Sequence, residues 1–182
     1  MADQVLMDVV AIGDNVCDFY PAIGQLFPGG NAVNVAVAVA RSGGSSGYVG
    51  VVGDDASGRL LMDSLAAERV DIRRLRVAPG PTACCQVEHA NGERLFLLRQ
   101  RGVSLRPTED DLAFAATASL IHSTWRSGLE DTLPELARRG RVSFDFSDHL
   151  GDGYADDLLQ FVHVAEFSAA ALDDRDCAEV AR

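Results

Sequence analysis

A chain of 182 residues, 47% apolar and 24% charged, is long enough for one α/β domain with a sizeable core and too apolar for a disordered segment. Its formal net charge of −11 sets it against nucleic acid and anionic membranes, both of which it would repel at long range. A phosphorylated small ligand is not excluded, because one basic pocket suffices to hold it.

The opening stretch, MADQVLMDVVAIGDN, has no basic region before its short apolar run, so no signal peptide is read there. No apolar run approaches the roughly 18 residues that span a bilayer. Cys17, Cys84, Cys85 and Cys177 form no C-x-x-C pair and two are adjacent, a spacing that suits neither a disulfide framework nor a structural zinc. Reduced thiols in a cytoplasmic protein are expected.

Along the chain, Val5 to Ile12 is an apolar run closed by Gly13-Asp14, the pattern of a strand buried on both faces. Asn15 to Pro28 is mixed, with turn formers at Pro21, Gly24 and Pro28. GGNAVNVAVAVARSGG alternates like a strand, yet its Gly-Asn start and Gly43-Gly44 stop predict a helix buried nearly all round. Tyr48 to Val52 reads as a strand and Ala56 to Arg69 as an amphipathic helix. Thr82 to His89 and Arg94 to Gln100 read as a hairpin around Asn91-Gly92. Thr108 and Asp111 form a capping box before a helix through Leu112, Ala115 and Ala116. A strand at Leu120 to Ser123, a helix at Leu129 to Arg139 and a strand at Val142 to Phe146 follow. Leu158 to Phe161 is read as helical, Val162 to Phe167 as a strand, and Asp173 to Arg182 as the start of a helix. Strands alternating with helices predict a doubly wound, mainly parallel sheet, with the hairpin as an antiparallel insertion.

In such a sheet ligands gather beyond the carboxyl ends of the strands. Acidic sites fall there: Asp14 with Asp18, Asp54 with Asp55, and Asp145 with Asp148. A dinucleotide site needs G-x-G-x-x-G after the first strand, whereas here Asp14 follows a single glycine and would repel phosphate. Carboxylates in this place suit a polyhydroxyl ligand; the plain alternative is that they cap helices and turns. Gly29 and Gly30 let a ligand approach the backbone at a helix start, with Asn34 one turn further in. There the plain alternative is a glycine turn with Asn31 as cap. His89, His122, His149 and His163 form no metal-spaced cluster, and Trp125 is read first as a packing residue.

The series AIGDNVCD, PGGNAVNVAVAVARSGG, VGVVGDDASG, VDI and PTACCQVEHANGERLF resembles the N-terminal portion of pfkB-family (ribokinase-like) carbohydrate kinases. IGDN and FDFSD look nearest to the family's fructoselysine 6-kinases, which phosphorylate a fructosamine. The resemblance implies a ribokinase-like fold over one domain, residues 1–182, with a small β-lid made of segments about 16–28 and 81–101 and with the family's C-terminal part missing. It implies a small-molecule sugar as partner, bound by Asp18, Gly29, Gly30 and Asn34; Asp14 and Arg99 join that substrate-binding set from the residues themselves, as a carboxylate at a strand end and a cation near the end of the lid. It also offers the lid as a homodimer surface. ATP and Mg²⁺ are implied as cofactors. Ser168 to Asp173 stands where the family has N-x-x-E, and without the asparagine only Asp173 is left as a nucleotide or metal contact, which weakens the expectation that this chain binds ATP. The family's D-T-x-G-A-G-D element, which supplies base and anion hole, does not occur in these 182 residues. No catalytic residue is therefore assigned, and the chain by itself is expected to be inactive. The alternatives are a non-catalytic sugar-binding or dimerisation module, and a kinase for an acidic keto sugar such as 2-keto-3-deoxygluconate, to which Arg99 and Arg101 would be suited; the plain reading of those two arginines, taken first, is solvated edge-strand charges that discourage aggregation.

Overall fold

The structure is a computed structural model and describes residues 7–90 and 93–168. Strand β1 (Met7–Ile12) is buried from Val9 onward. It leads into an antiparallel pair, β2 (Val16–Tyr20) and β3 (Gln25–Gly29), where the sequence shows only turn formers. The Val-Ala run is helix α1 (Asn31–Arg41), but it is buried along one side, through Ala32, Val33 and Ala36, and not all round. Asn34 and Ala38 are exposed, because a helix lying on the outside of a sheet covers only one stripe.

Strand β4 (Ser46–Gly53) is buried throughout and is followed by helix α2 (Ala56–Ala67) and strand β5 (Asp71–Ala78). Arg73, Arg74 and Arg76 hide β5 in the sequence. It is an outermost strand, where charged side chains reach water and discourage pairing with other chains. Strands β6 (Cys84–Ala90) and β7 (Glu93–Gln100) pair antiparallel; the expected Asn91-Gly92 turn lies outside the described residues. Helix α3 (Glu109–Ala115) carries the reciprocal Thr108–Asp111 cap, with Asp111 N donating to Thr108 Oγ1 at 3.3 Å and Thr108 N to Asp111 Oδ2 at 2.8 Å. After strand β8 (Ala118–Thr124), helix α4 (Leu133–Arg139) starts later than its periodicity predicts, because Pro134 sits in its first turn and a short 3₁₀ turn, Glu130–Thr132, precedes it. Strand β9 (Val142–Asp145), a 3₁₀ turn at Leu159–Phe161 and strand β10 (Val164–Glu166) complete the described chain. The helix expected from Asp173 lies outside it.

The strands form two sheets. The larger has the order β10-β9-β8-β1-β4-β5 and every pairing in it is parallel. Helices α1 and α2 bury Ala32, Val33, Ala36, Leu61 and Leu65 against one face with Ala11, Tyr48 and Val52. Helices α3 and α4 bury Phe114, Leu133 and Leu136 against the other with Val10, Ile12, Val49 and Phe144. The smaller sheet, β3-β2-β6-β7, stands apart and leaves Leu95, Phe96, Leu97 and Leu98 of β7 exposed. Asp55 ties the two together. It caps α2 through Gly58 N at 2.8 Å and accepts from Thr82 N at 2.9 Å and Thr82 Oγ1 at 2.7 Å, just ahead of β6. From β1 the chain winds outward to β4 and β5, then returns to lay down β8, β9 and β10. The winding direction therefore reverses between β1 and β8, and the crevice beyond their ends is the favoured place for a ligand.

Fully buried Tyr48 supports that crevice from below. Its hydroxyl donates to the Gly13 carbonyl at 2.8 Å and accepts from Asn15 Nδ2 at 3.1 Å. Burial pushes its pKa well above that of a free phenol. Tyr48→Phe keeps the ring but leaves both partners short of a bond inside the protein. It is expected to destabilise the fold by about 1–3 kcal/mol, read as a lower urea midpoint at unchanged slope. An unaltered midpoint would show that the hydroxyl does not hold the turn after β1.

Candidate functional site

The turn after β1 is made by Gly13, whose φ is 139° and whose missing Cβ would stand 1.8 Å from Ser127 Oγ. That contact joins the turn to the 3₁₀ turn Trp125–Ser127 after β8, and Asp14 N donates to Ser127 Oγ at 3.1 Å. Asp14 then reaches the start of α1: its Oδ2 accepts from Asn31 N at 2.9 Å and its Oδ1 from Ala32 N at 3.0 Å. The carboxylate satisfies two orphan donors at the positive end of the helix, and each oxygen retains a lone pair. Gly30, with φ 107°, makes this approach feasible, since a Cβ there would meet Asn15 Cα at 2.7 Å.

Asp18 lies on β2 opposite Phe27 of β3 and beside Cys85 of β6. Gly29 leaves room for its carboxylate, because a Cβ on Gly29 would stand 3.2 Å from Asp18 Oδ2. Asp14, Asp18 and Arg99 line one cavity of about 730 Å³, between the turn after β1, the turn after β8 and the strands β6 and β7. Gly29 and Gly30 pack against its two aspartates. Asn34 is exposed on α1 and is not among the lining residues, and Asp173 lies outside the described part of the chain. Cys84 and Cys85 also line the cavity; they and Cys17 are free thiols whose pKa values are raised by burial, that of Cys17 to about 11.

Two features of the site carry no sequence motif. One is Arg126, whose N–H donates to Thr124 Oγ1 at 3.1 Å and whose guanidinium lies 4.1 Å over the Trp125 ring. Both residues line the cavity, and Trp125 meets His149 edge-on, so it packs while also facing the space. The other is a polar chain across the strand ends. Asn31 Nδ2 donates to Asp145, which leaves Asn31 Oδ1 to accept from His122 Nε2 at 2.9 Å. His122 Nδ1 lies 2.9 Å from Ser143 Oγ, which in turn lies 2.8 Å from Glu166 Oε1. Asn31 thus works as a strut more than as the cap its position suggests, since α1 has no side-chain cap at Gly30 and takes Asp14 instead. Among the described residues no group of three or more His, Cys, Asp or Glu is arranged to hold a metal ion.

His122 is buried, and that burial holds its pKa below 6.5 against the opposing pull of Glu166, Asp145 and Asp14. The unfolded chain takes up the proton near pH 6.5 while the folded chain resists it. The stability tied to neutral His122 is therefore complete above about pH 6.5 and is lost as pH falls through the lowered folded value. The difference in urea midpoint between about pH 7.5 and about pH 5.5 is expected to shrink in His122→Gln. An equal difference in both proteins would remove His122 from the acid response.

Residues 2–167 match the family described as pfkB family carbohydrate kinase. The chain is 36% identical over 182 residues to the fructosamine kinase FrlD of Bacillus subtilis, covering 97% of this chain and 64% of that protein. It is also 36% identical over 169 residues to the fructoselysine 6-kinase of Escherichia coli, covering 91% and 65%. It thus spans somewhat under two thirds of the length of these relatives. Among solved structures, Arabidopsis thaliana ribokinase complexed with ribose and ATP superposes with a TM-score of 0.81 at 17% identity, over 96% of this chain and 67% of that one. Xylella fastidiosa fructokinase superposes with a TM-score of 0.71 at 26% identity, over 96% and 63%. The fold is ribokinase-like, and the chain belongs to the pfkB family of carbohydrate kinases.

Proposed function

We propose that this chain is the sugar-binding portion of an ATP-dependent kinase acting on a fructosamine of the fructoselysine type. One observation carries the reading: the cavity at the reversal point of the parallel sheet, where Asp18 and Asp14 meet the Gly29-Gly30 turn beneath β6 and β7. Carboxylates there accept hydrogen bonds from sugar hydroxyls, and Gly29 leaves the room beside the Asp18 carboxylate that a side chain would fill. The smaller sheet acts as a lid over the sugar, keeping out water that would otherwise compete for the phosphoryl group. The substrate follows from 36% identity to proteins named for fructosamine and fructoselysine. ATP and Mg²⁺ belong to the reading through the family. No described residue cluster of this chain fits a metal ion, so no step is assigned to them here.

A second reading, a non-catalytic sugar-binding or dimerisation module, draws on the lid, which exposes Leu97 at 53% and Leu98 at 68%, apolar surface that a second copy would cover. Calorimetry and a coupled ATPase assay on the purified chain separate the readings. Fructoselysine is expected to bind, with no ATP-dependent phosphorylation by this chain alone. Asp18→Asn is expected to weaken that binding about tenfold or more, with the thermal midpoint little changed. A wild-type chain that binds no ketose would overturn the sugar site, and measurable turnover would overturn the predicted inactivity of the chain alone.

A further inference from the structure

We propose that Arg99 and Arg126 grip a carboxylate carried by the substrate, so that the sugar taken into the cavity is an acid: a ketose joined to an amino acid, or a sugar acid. The inference rests on the reading of the cavity as a sugar site and adds to it the end of the ligand remote from the hydroxyls.

The two arginines reach the cavity from opposite walls, Arg99 from lid strand β7 and Arg126 from the turn after β8. Arg41, Arg73, Arg74, Arg138 and Arg139 pair with acids at the surface and Arg76 with buried Asp111, while Arg59, Arg69, Arg101, Arg106 and Arg141 form no ion pair among the described residues. Among the described residues neither Arg99 nor Arg126 forms an ion pair. Each instead lies over an aromatic ring, Arg126 on Trp125 at 4.1 Å and Arg99 on Phe96 at 5.6 Å. Stacking occupies the flat face of a guanidinium and leaves its in-plane N–H donors for a planar anion. Arg99 stands near enough to Cys85 to lower the thiol's pKa against the larger, opposite effect of burial.

Their mutual influence agrees with an anion between them. Burial first, and then the like charge of Arg99, lower the pKa of Arg126, while Asp14 and Asp148 act in the opposite direction. An entering anion would act in the same direction as those carboxylates and relieve the repulsion between the two arginines. In a chain of net charge −11 an anionic ligand gains nothing from the long-range field, so its recognition has to be local. The cavity is also polar in the ordered sense. Asp18 and Asp14 favour hydroxyls and repel a carboxylate, the arginines do the reverse, and a ligand with sugar and acid at opposite ends is oriented by both.

Titration calorimetry with fructosylglycine, its neutral amide, fructose and 2-keto-3-deoxygluconate tests this. The acid is expected to bind about tenfold or more tightly than the amide, and Arg99→Gln and Arg126→Gln are each expected to erase most of that difference while still binding fructose. Fructose binding by each variant shows that its cavity is intact. Tighter binding of fructosylglycine than of 2-keto-3-deoxygluconate assigns the carboxylate to an amino acid, and the reverse order assigns it to a sugar acid. Equal affinities for acid and amide, with fructose still bound, would overturn the carboxylate site and leave the sugar site standing. Failure of all four to bind would overturn the sugar site, and this inference with it.

Discussion

The hold of Asp14 on the first turn of α1 is the interaction from which the rest of the site takes its shape. The first N–H groups of a helix have no partner inside it and together carry a partial positive charge. A carboxylate placed at the end of the central strand answers both needs, and it can do so only if the backbone entering the helix passes close over Asn15. Gly30 permits that passage, Tyr48 props the turn from beneath, and Gly13 lets the turn after β8 close against it. Each of these holds the start of α1 in place, and with it Gly29, the residue that leaves room for Asp18. The space around the Asp18 carboxylate is thus shaped by backbone contacts that Asp18 does not itself make.

The polar chain from Asp145 through Asn31 and His122 to Ser143 and Glu166 extends the same constraint across β8, β9 and β10. With Asn31 Nδ2 turned to Asp145, the proton of neutral His122 is required on Nε2. Ser143 then has one hydroxyl proton for two acceptors, His122 Nδ1 and Glu166 Oε1. A chain short of one proton is sensitive to whatever approaches its ends. Those ends lie at the carboxyl edge of the sheet, where Asp145 also accepts from Ser147 N at 2.6 Å and Ser147 lines the cavity. The helix that carries Asn34 is therefore tied to the site at two places, by its backbone to Asp14 and by its first side chain to the strand ends.

Much of the framework is legible in the sequence because burial writes itself as pattern. β1 and β4 are continuous apolar runs, α2 has helical spacing, and the Thr108–Asp111 cap announces α3 residue by residue. β5 escapes because an outer strand is allowed its arginines, and β3 escapes because Pro21, Gly24 and Pro28 are read as turns although the strand between them pairs only with β2. In the site, the glycines and aspartates are visible as types but their partners are not. That Asp55 serves Thr82, and Asp14 serves Asn31 and Ala32, depends on segments brought together by folding. His122 sits in an apolar run and reads as an ordinary core histidine. Arg126 had one usable signal, a cation next to tryptophan just past the end of a parallel strand, which is where such sheets gather ligands.

Charge near the cavity is divided between structure and ligand in a way that net charge conceals. Asp55 is occupied by α2 and Thr82, Asp145 by Asn31 and Ser147, and Asp14 by α1, so much of the negative charge at the strand ends is matched by backbone and side-chain donors of the protein itself. Each of these carboxylates is an anchor for the groups that donate to it, while Asp14 and Asp145 still act on His122 and Asp14 on Arg126. The arginines stand in the opposite condition, stacked on rings that orient them without neutralising them. A protein that would repel anions at a distance therefore presents, inside one cavity, two arginines that form no ion pair among the described residues. On the proposed reading, that local arrangement, more than the overall composition, is what would separate an acidic sugar from a neutral one.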